Sequence, residues 1–98
     1  ANGRCLMSDF LGELIALIAD RRINPKTGSY TNQLLADPAK AAQKVGEEAV
    51  EVVVAALAQS KPRLVEEMAD LIYHSLVLLE AQEVGWNEVI AELERRHK

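Results

Sequence analysis

Carboxylates recur at helical spacing in two neighbouring stretches of the chain: Glu47, Glu48 and Glu51 within KVGEEAVE, then Glu67 and Asp70 within VEEMADLIYH. Each stretch contains a pair three residues apart, a spacing that puts both carboxylates on one face of an α-helix. Oxygen ligands in this number suit a hard divalent cation, Mg²⁺ or Mn²⁺, and Mg²⁺ keeps coordination positions for water and phosphate oxygens. The chemistry within reach is metal-assisted attack of water on a phosphoanhydride. No covalent nucleophile is required, and no Ser-His-Asp arrangement can be read from the spacing. The plainer alternative is a solvated acidic helix face, which EExxE alone more often is. A second cluster at matching phase on the next helix shifts the balance towards a metal site.

Two helices must position these groups. Projected at roughly 100° per residue, the first puts Val45, Ala49, Val52 and Ala56 on a core stripe with Lys44, Glu48, Glu51 and Ala55 along its flank. The second repeats the arrangement, with Leu64, Met68, Leu71 and Ser75 on the stripe and Arg63, Glu67, Asp70 and His74 on the flank. The break at Ser60, Lys61 and Pro62 is short enough to demand antiparallel packing, which lets Glu48, Glu51, Glu67 and Asp70 face one another as metal ligands. Without a cation that cluster repels itself. Glu47 points further round and is a spare carboxylate to orient or deprotonate water. Lys44, one turn before Glu48, can reach that carboxylate or a substrate phosphate. His74, one turn beyond Asp70, is structural, steadies a carboxylate or approaches a substrate.

Those two clusters, together with GSYT at Gly28 to Thr31 and ADLIYH at Ala69 to His74, resemble the phosphoribosyl-ATP pyrophosphohydrolase family of all-α nucleotide pyrophosphohydrolases. The match runs from about Phe10 to the C-terminus in order and in spacing. The resemblance implies an enzyme of histidine biosynthesis that hydrolyses phosphoribosyl-ATP to phosphoribosyl-AMP and pyrophosphate with Mg²⁺. It also implies that Ser29, Tyr30 and Thr31 border the substrate, tips Lys44 towards a phosphate contact, and implies a homodimer. From the residues alone, Ser29 to Thr31 read first as a capped turn. Two rival functions stand beside this one: a general nucleoside triphosphate pyrophosphatase, and a non-catalytic helical dimer whose acidic edge binds a basic partner. A di-iron carboxylate bundle is disfavoured, because neither cluster supplies the Glu-x-x-His pairing of such sites. The cyclohydrolase domain fused to some relatives is not expected, since the chain has neither the length nor the cysteines for it.

The remaining elements follow from capping and periodicity. Ser8 is the expected N-cap of a helix ending near Arg22, with Phe10, Leu11, Leu14, Ile15, Leu17 and Ile18 as its apolar face, and Ala1 to Leu6 read as an added or disordered extension. Asn24 to Ser29 form a turn, and Ser29 caps a short helix through Leu35. Asp37 and Pro38 open a helix to about Gln59, in which Gly46 implies close helix packing. A second long helix runs from near Pro62 to about Val84 with Gly85 as its stop, and Trp86 to Lys98 form a docking helix.

Ninety-eight residues, 49% hydrophobic but only 4% aromatic, predict one all-α domain, a bundle of about five helices around two long ones. The net charge of −4 and isoelectric point near 5.1 argue against a nucleic-acid partner. A polyanionic substrate then needs a metal bridge. With one cysteine, Cys5, no signal-peptide pattern and no long apolar run, no membrane association is expected and the expected compartment is the cytoplasm. Val50, Val54 and Leu57 lie opposite the predicted core stripe, and Leu76 to Leu79 surround the second helix. Such all-round apolar helices predict a homodimer with an apolar interface.

Overall fold

The computed structural model describes the backbone of residues 2–98 and the side chains of residues 10–98. The described residues are all-α and form five helices: α1 (Asn2–Ile23), α2 (Tyr30–Leu35), α3 (Pro38–Ala58), α4 (Lys61–Ala81) and α5 (Trp86–Arg96). No strand occurs among the described residues. No described helix is long and apolar enough to cross a membrane.

The helix starts obey local chemistry. The Ser29 hydroxyl accepts from the Asn32 N–H at 3.2 Å, Asp37 accepts from the Lys40 N–H at 3.2 Å, and Ser60 accepts from the Arg63 N–H at 3.3 Å. Each satisfies an amide that has no partner within its helix. Only Gln59 and Ser60 separate α3 from α4, so the two helices fold back antiparallel and form the most extensive helix pair of the molecule. Helices α1 and α2 pack across them, closing a core of Ile18, Leu34, Ala41, Leu76 and Val77.

Four local expectations are corrected. Helix α1 begins at Asn2, so Ser8 lies inside it and is not its N-cap, and residues 2–6 are helical; Ala1 lies outside the described residues. No proline interrupts this stretch, and Leu6 and Met7 are good helix formers. Gly46 is exposed, and a Cβ there meets nothing within 4 Å, so close packing inside the chain does not explain it. The inward face of α3 carries buried Ala41 and Ala55 with half-buried Lys44, Val45, Glu48 and Val52, while Ala49 and Ala56 are exposed. On α4 the buried residues are Glu67, His74, Leu76 and Val77, and Met68 is exposed. Both helices are thus rotated from the predicted phase, which turns Glu48, Glu67 and His74 of the supposed flanks inward while Glu51, Arg63 and Asp70 stay exposed. A helix apolar on nearly every side has no strong moment to fix its phase, and small Ala41 and Ala55 allow neighbouring helices to approach.

The fourth correction concerns the end of α4. It stops at Ala81, not near Val84, and Gly85 instead caps the start of α5, with its N–H donating to Glu88 Oε2 at 2.8 Å. The stop is a Schellman arrangement, in which the Val84 N–H donates to the Leu79 carbonyl at 2.9 Å and the Glu83 N–H to the Glu80 carbonyl at 3.0 Å. The residue forced into the left-handed region is Glu83, at φ 56°. A residue with a Cβ is disfavoured there by roughly 1 kcal/mol. Glu83→Gly is therefore expected to stabilise the fold by roughly 0.5–1 kcal/mol, raising the melting temperature by a few degrees. Thermal denaturation followed by circular dichroism checks this; an unchanged or lower midpoint would show that Glu83 is held there by something other than helix termination.

Candidate metal centre

The antiparallel α3–α4 pair brings the two acidic clusters together across its interface. Glu48 of α3 and Glu67 and Asp70 of α4 each offer a carboxylate oxygen, and these atoms lie within 4.8 Å of one another. Oxygens sharing one Mg²⁺ are at most about 4.2 Å apart at metal–oxygen distances of roughly 2.1 Å. Side-chain adjustments of about half an ångström therefore bring the three onto one ion, and an all-carboxylate donor set is the kind that hard cations select. Glu51 is exposed on the next turn of α3 and lies outside this group of three.

Burial grades across the group. The Glu67 side chain is only 9% exposed and Glu48 only 13%, whereas Asp70 faces solvent. Ionised carboxylates so placed are unfavourable unless paired, and the pairing is present. A guanidinium nitrogen of Arg63 donates to Glu67 Oε2 while its other terminal nitrogen donates to Glu66. Lys44 Nζ lies 3.7 Å from Glu48 Oε2 and 3.3 Å from Glu47 Oε1. The self-repulsion expected of the bare cluster is thus offset by two basic side chains on the same helices. Hydrogen bonding to Glu47, joined by the charges of Glu47 and Glu48 and opposed by partial burial, raises the Lys44 amine above its ordinary value. Glu47 itself is exposed, and a hydrogen bond from Gln43 (2.9 Å) followed by Lys44 holds it below the usual carboxylate range. That makes it a weak base at neutral pH and a durable hydrogen-bond acceptor.

Helix α2 lies against α4 beside the acidic edge. His74 is buried, and its Nδ1 lies 2.7 Å from the Asp70 backbone carbonyl. A carbonyl only accepts, so Nδ1 carries the proton, and in the neutral ring Nε2 accepts from the Tyr30 hydroxyl at 3.0 Å. Thr31 Oγ1 is hydrogen-bonded to the Tyr73 hydroxyl. The rings of Tyr30 and Tyr73 stack at 6.5 Å, and His74 meets both edge-on. The hydroxyls of Ser29, Tyr30 and Thr31 are thus all engaged within the chain, in the α2 cap and in contacts with α4.

Sequence reasoning missed Arg63 as a partner of the site, although its position one turn before Glu67 was the available signal. It also missed Asn32, whose side chain accepts from the Lys26 N–H at 2.8 Å and donates to the Arg21 carbonyl at 2.7 Å, pinning the α1–α2 loop. Arg22 Nε donates to Glu80 at 2.5 Å, tying the end of α1 to α4. Nothing in local spacing signals a contact between residues so distant in sequence.

Comparison with known proteins identifies the family. The family model described as phosphoribosyl-ATP pyrophosphohydrolase matches residues 11–97. A phosphoribosyl-ATP pyrophosphatase of Metallosphaera sedula is 52% identical over 94 residues, covering 94% of this chain and all of the relative. One from Methanocella arvoryzae is 42% identical over 95 residues, again 94% of this chain and the whole relative. The histidine biosynthesis bifunctional protein HisIE of Caldanaerobacter subterraneus is 47% identical over 91 residues, which are 92% of this chain but 44% of that longer protein. With the family model spanning nearly the whole chain and the match to these relatives running end to end, the chain belongs to the phosphoribosyl-ATP pyrophosphohydrolase family.

Proposed function

We propose that the chain hydrolyses phosphoribosyl-ATP to phosphoribosyl-AMP and pyrophosphate in histidine biosynthesis, using Mg²⁺, or Mn²⁺ in its place, held by Glu48, Glu51, Glu67 and Asp70. The observation that carries this is the convergence of Glu48, Glu67 and Asp70 in a chain of this family. Glu51 joins by side-chain rotation from the neighbouring turn. The bound cation would neutralise phosphate oxygens and lower the pKa of an attacking water. Glu47, kept ionised by Gln43 and Lys44, orients that water by accepting its hydrogen bond. The water oxygen bonds to phosphorus, the bridging P–O bond breaks, pyrophosphate leaves, and the water proton passes to solvent. Lys44 exchanges its carboxylate partners for a phosphate oxygen, and Ser29, Tyr30, Thr31 and His74 shape the nucleotide side of the site.

Product analysis with phosphoribosyl-ATP and a panel of nucleoside triphosphates, with and without Mg²⁺, tests this. Pyrophosphate is expected from phosphoribosyl-ATP in the presence of Mg²⁺. Comparable turnover of ordinary triphosphates would favour the general pyrophosphatase, and inertness towards every substrate would favour the non-catalytic dimer. Glu48→Gln and Asp70→Asn are each expected to lower kcat/KM by roughly 10²-fold or more. Glu92→Gln, which loses only exposed pairs with Arg95 and Arg96, should leave turnover unchanged.

We also propose a homodimer. Gly46, Val50, Val53, Val54 and Leu57 form an exposed line along α3, with Leu57 83% exposed, and Val65, Met68 and Ile72 are exposed on α4. An apolar hollow of about 430 Å³ between α4 and α5, lined by Leu71, Ile72, Trp86 and Val89 among others, adds to this surface. A line of exposed apolar side chains such as that on α3 is the kind of surface a partner covers. Sedimentation at micromolar concentration is expected to give a dimer, and Val54→Asp with Leu57→Asp a monomer; a monomeric wild type would sink the idea.

A further inference from the structure

Glu67 is the most buried member of the carboxylate group, and a buried carboxylate answers strongly to whichever cation reaches it. In the structure that cation is Arg63, one turn earlier on α4, whose two terminal nitrogens divide between exposed Glu66 and buried Glu67. We propose that Arg63 is a resident competitor for Glu67 and thereby sets the affinity with which the site takes a divalent cation. The inference rests on the metal-site reading above.

Guanidinium and divalent ion seek the same carboxylate and carry like charge, so each weakens the hold of the other. Displacement of Arg63 is easy to accommodate, because its side chain is 46% exposed and Glu66 remains as a second partner. Lys44 has the same relation to Glu48 in weaker form, since its amine is 3.7 Å away and nearer to Glu47. Arg63 therefore keeps the α3–α4 interface neutralised without a metal, at the cost of weaker metal binding. A merely structural Arg63 has the opposite signature: its loss would misplace Glu67 and weaken the metal.

The sign of the change in Mn²⁺ affinity separates the two. Free Mn²⁺ is measured by electron paramagnetic resonance while the ion is titrated into the full chain at low ionic strength. Arg63→Met, which keeps an apolar stem and removes the charge, is expected to bind Mn²⁺ about three- to ten-fold more tightly than wild type. The gain should shrink as salt is added. Its melting temperature without metal should fall while the rise on adding Mn²⁺ grows. Arg63→Lys, which retains the charge, should stay within about two-fold of wild type. Arg63→Gln keeps hydrogen-bond donors without charge and carries the same expectation as Arg63→Met, which covers the case in which the methionine variant does not fold. Glu67→Gln reports on the metal site itself and should weaken Mn²⁺ binding. If Glu67→Gln weakens binding while the uncharged Arg63 variants bind Mn²⁺ no more tightly than wild type, the competitor role is overturned and the metal site stands. If wild type and Glu67→Gln bind Mn²⁺ equally, both fall.

Discussion

Negative charge buried between two helices must be matched by positive charge, and the α3–α4 interface is arranged around that requirement. Glu67 is placed inward from α4 and Glu48 from α3, where solvent reaches them only in part. Each is met by a basic side chain one turn earlier on its own helix, Arg63 for Glu67 and Lys44 for Glu48. Local i,i+4 pairing thus supports a feature that is tertiary in origin. On a solvated helix such pairs would contribute little. They matter here because only one end of each pair remains wet.

The hairpin explains why the carboxylates meet at all. Gln59 and Ser60 leave no room for a crossover, so Glu48, about three turns before the break, is bound to lie opposite Glu67 and Asp70, two to three turns after it. Ala41 and Ala55 carry the buried surface of α3 with side chains too small to hold neighbouring helices apart. The Arg22–Glu80 bond ties the end of α1 to the last turn of α4, and α2 is held by Asn32 on one side and by Tyr73 and His74 on the other.

Much of this was legible in the sequence, because spacing and capping are local. The Ser29 and Asp37 caps and the α3–α4 break follow from residues a few positions apart, whereas Ser60, read as part of that break, proves to be the cap of α4. Rotation of the long helices was not legible. Val45 and Val52 are inward in both the predicted and the observed phase, and the surplus of valine and leucine around α3 and α4 leaves the choice to tertiary packing. Arg63 was lost with the phase: as a flank residue it has an ordinary solvated partner, and only with Glu67 inside does the pair acquire its significance. At the end of α4, Gly85 is the residue local preference selects for a left-handed stop, yet Glu83 occupies that conformation. The Val84–Leu79 bond and the entry into α5 fix the register instead.

His74 links the acidic edge of α4 to the first turn of α2. Its Nδ1–H is committed to the carbonyl of Asp70, so the same residue that presents a carboxylate to the site also fixes the imidazole tautomer. The remaining nitrogen then receives the Tyr30 hydroxyl from the first turn of α2. A displacement of α2 must lengthen this bond, the Thr31–Tyr73 bond, or both, and Tyr73 and His74 are adjacent on α4. Two hydrogen bonds from consecutive residues of one helix to consecutive residues of another resist rotation as well as translation. On α3, the half-buried Lys44 amine lies near both Glu47 and Glu48, and Glu48 in turn meets Glu67 and Asp70 of α4. The family words GSYT, KVGEEAVE and ADLIYH are therefore three sides of one physical unit, brought together by the fold from widely separated positions in the chain.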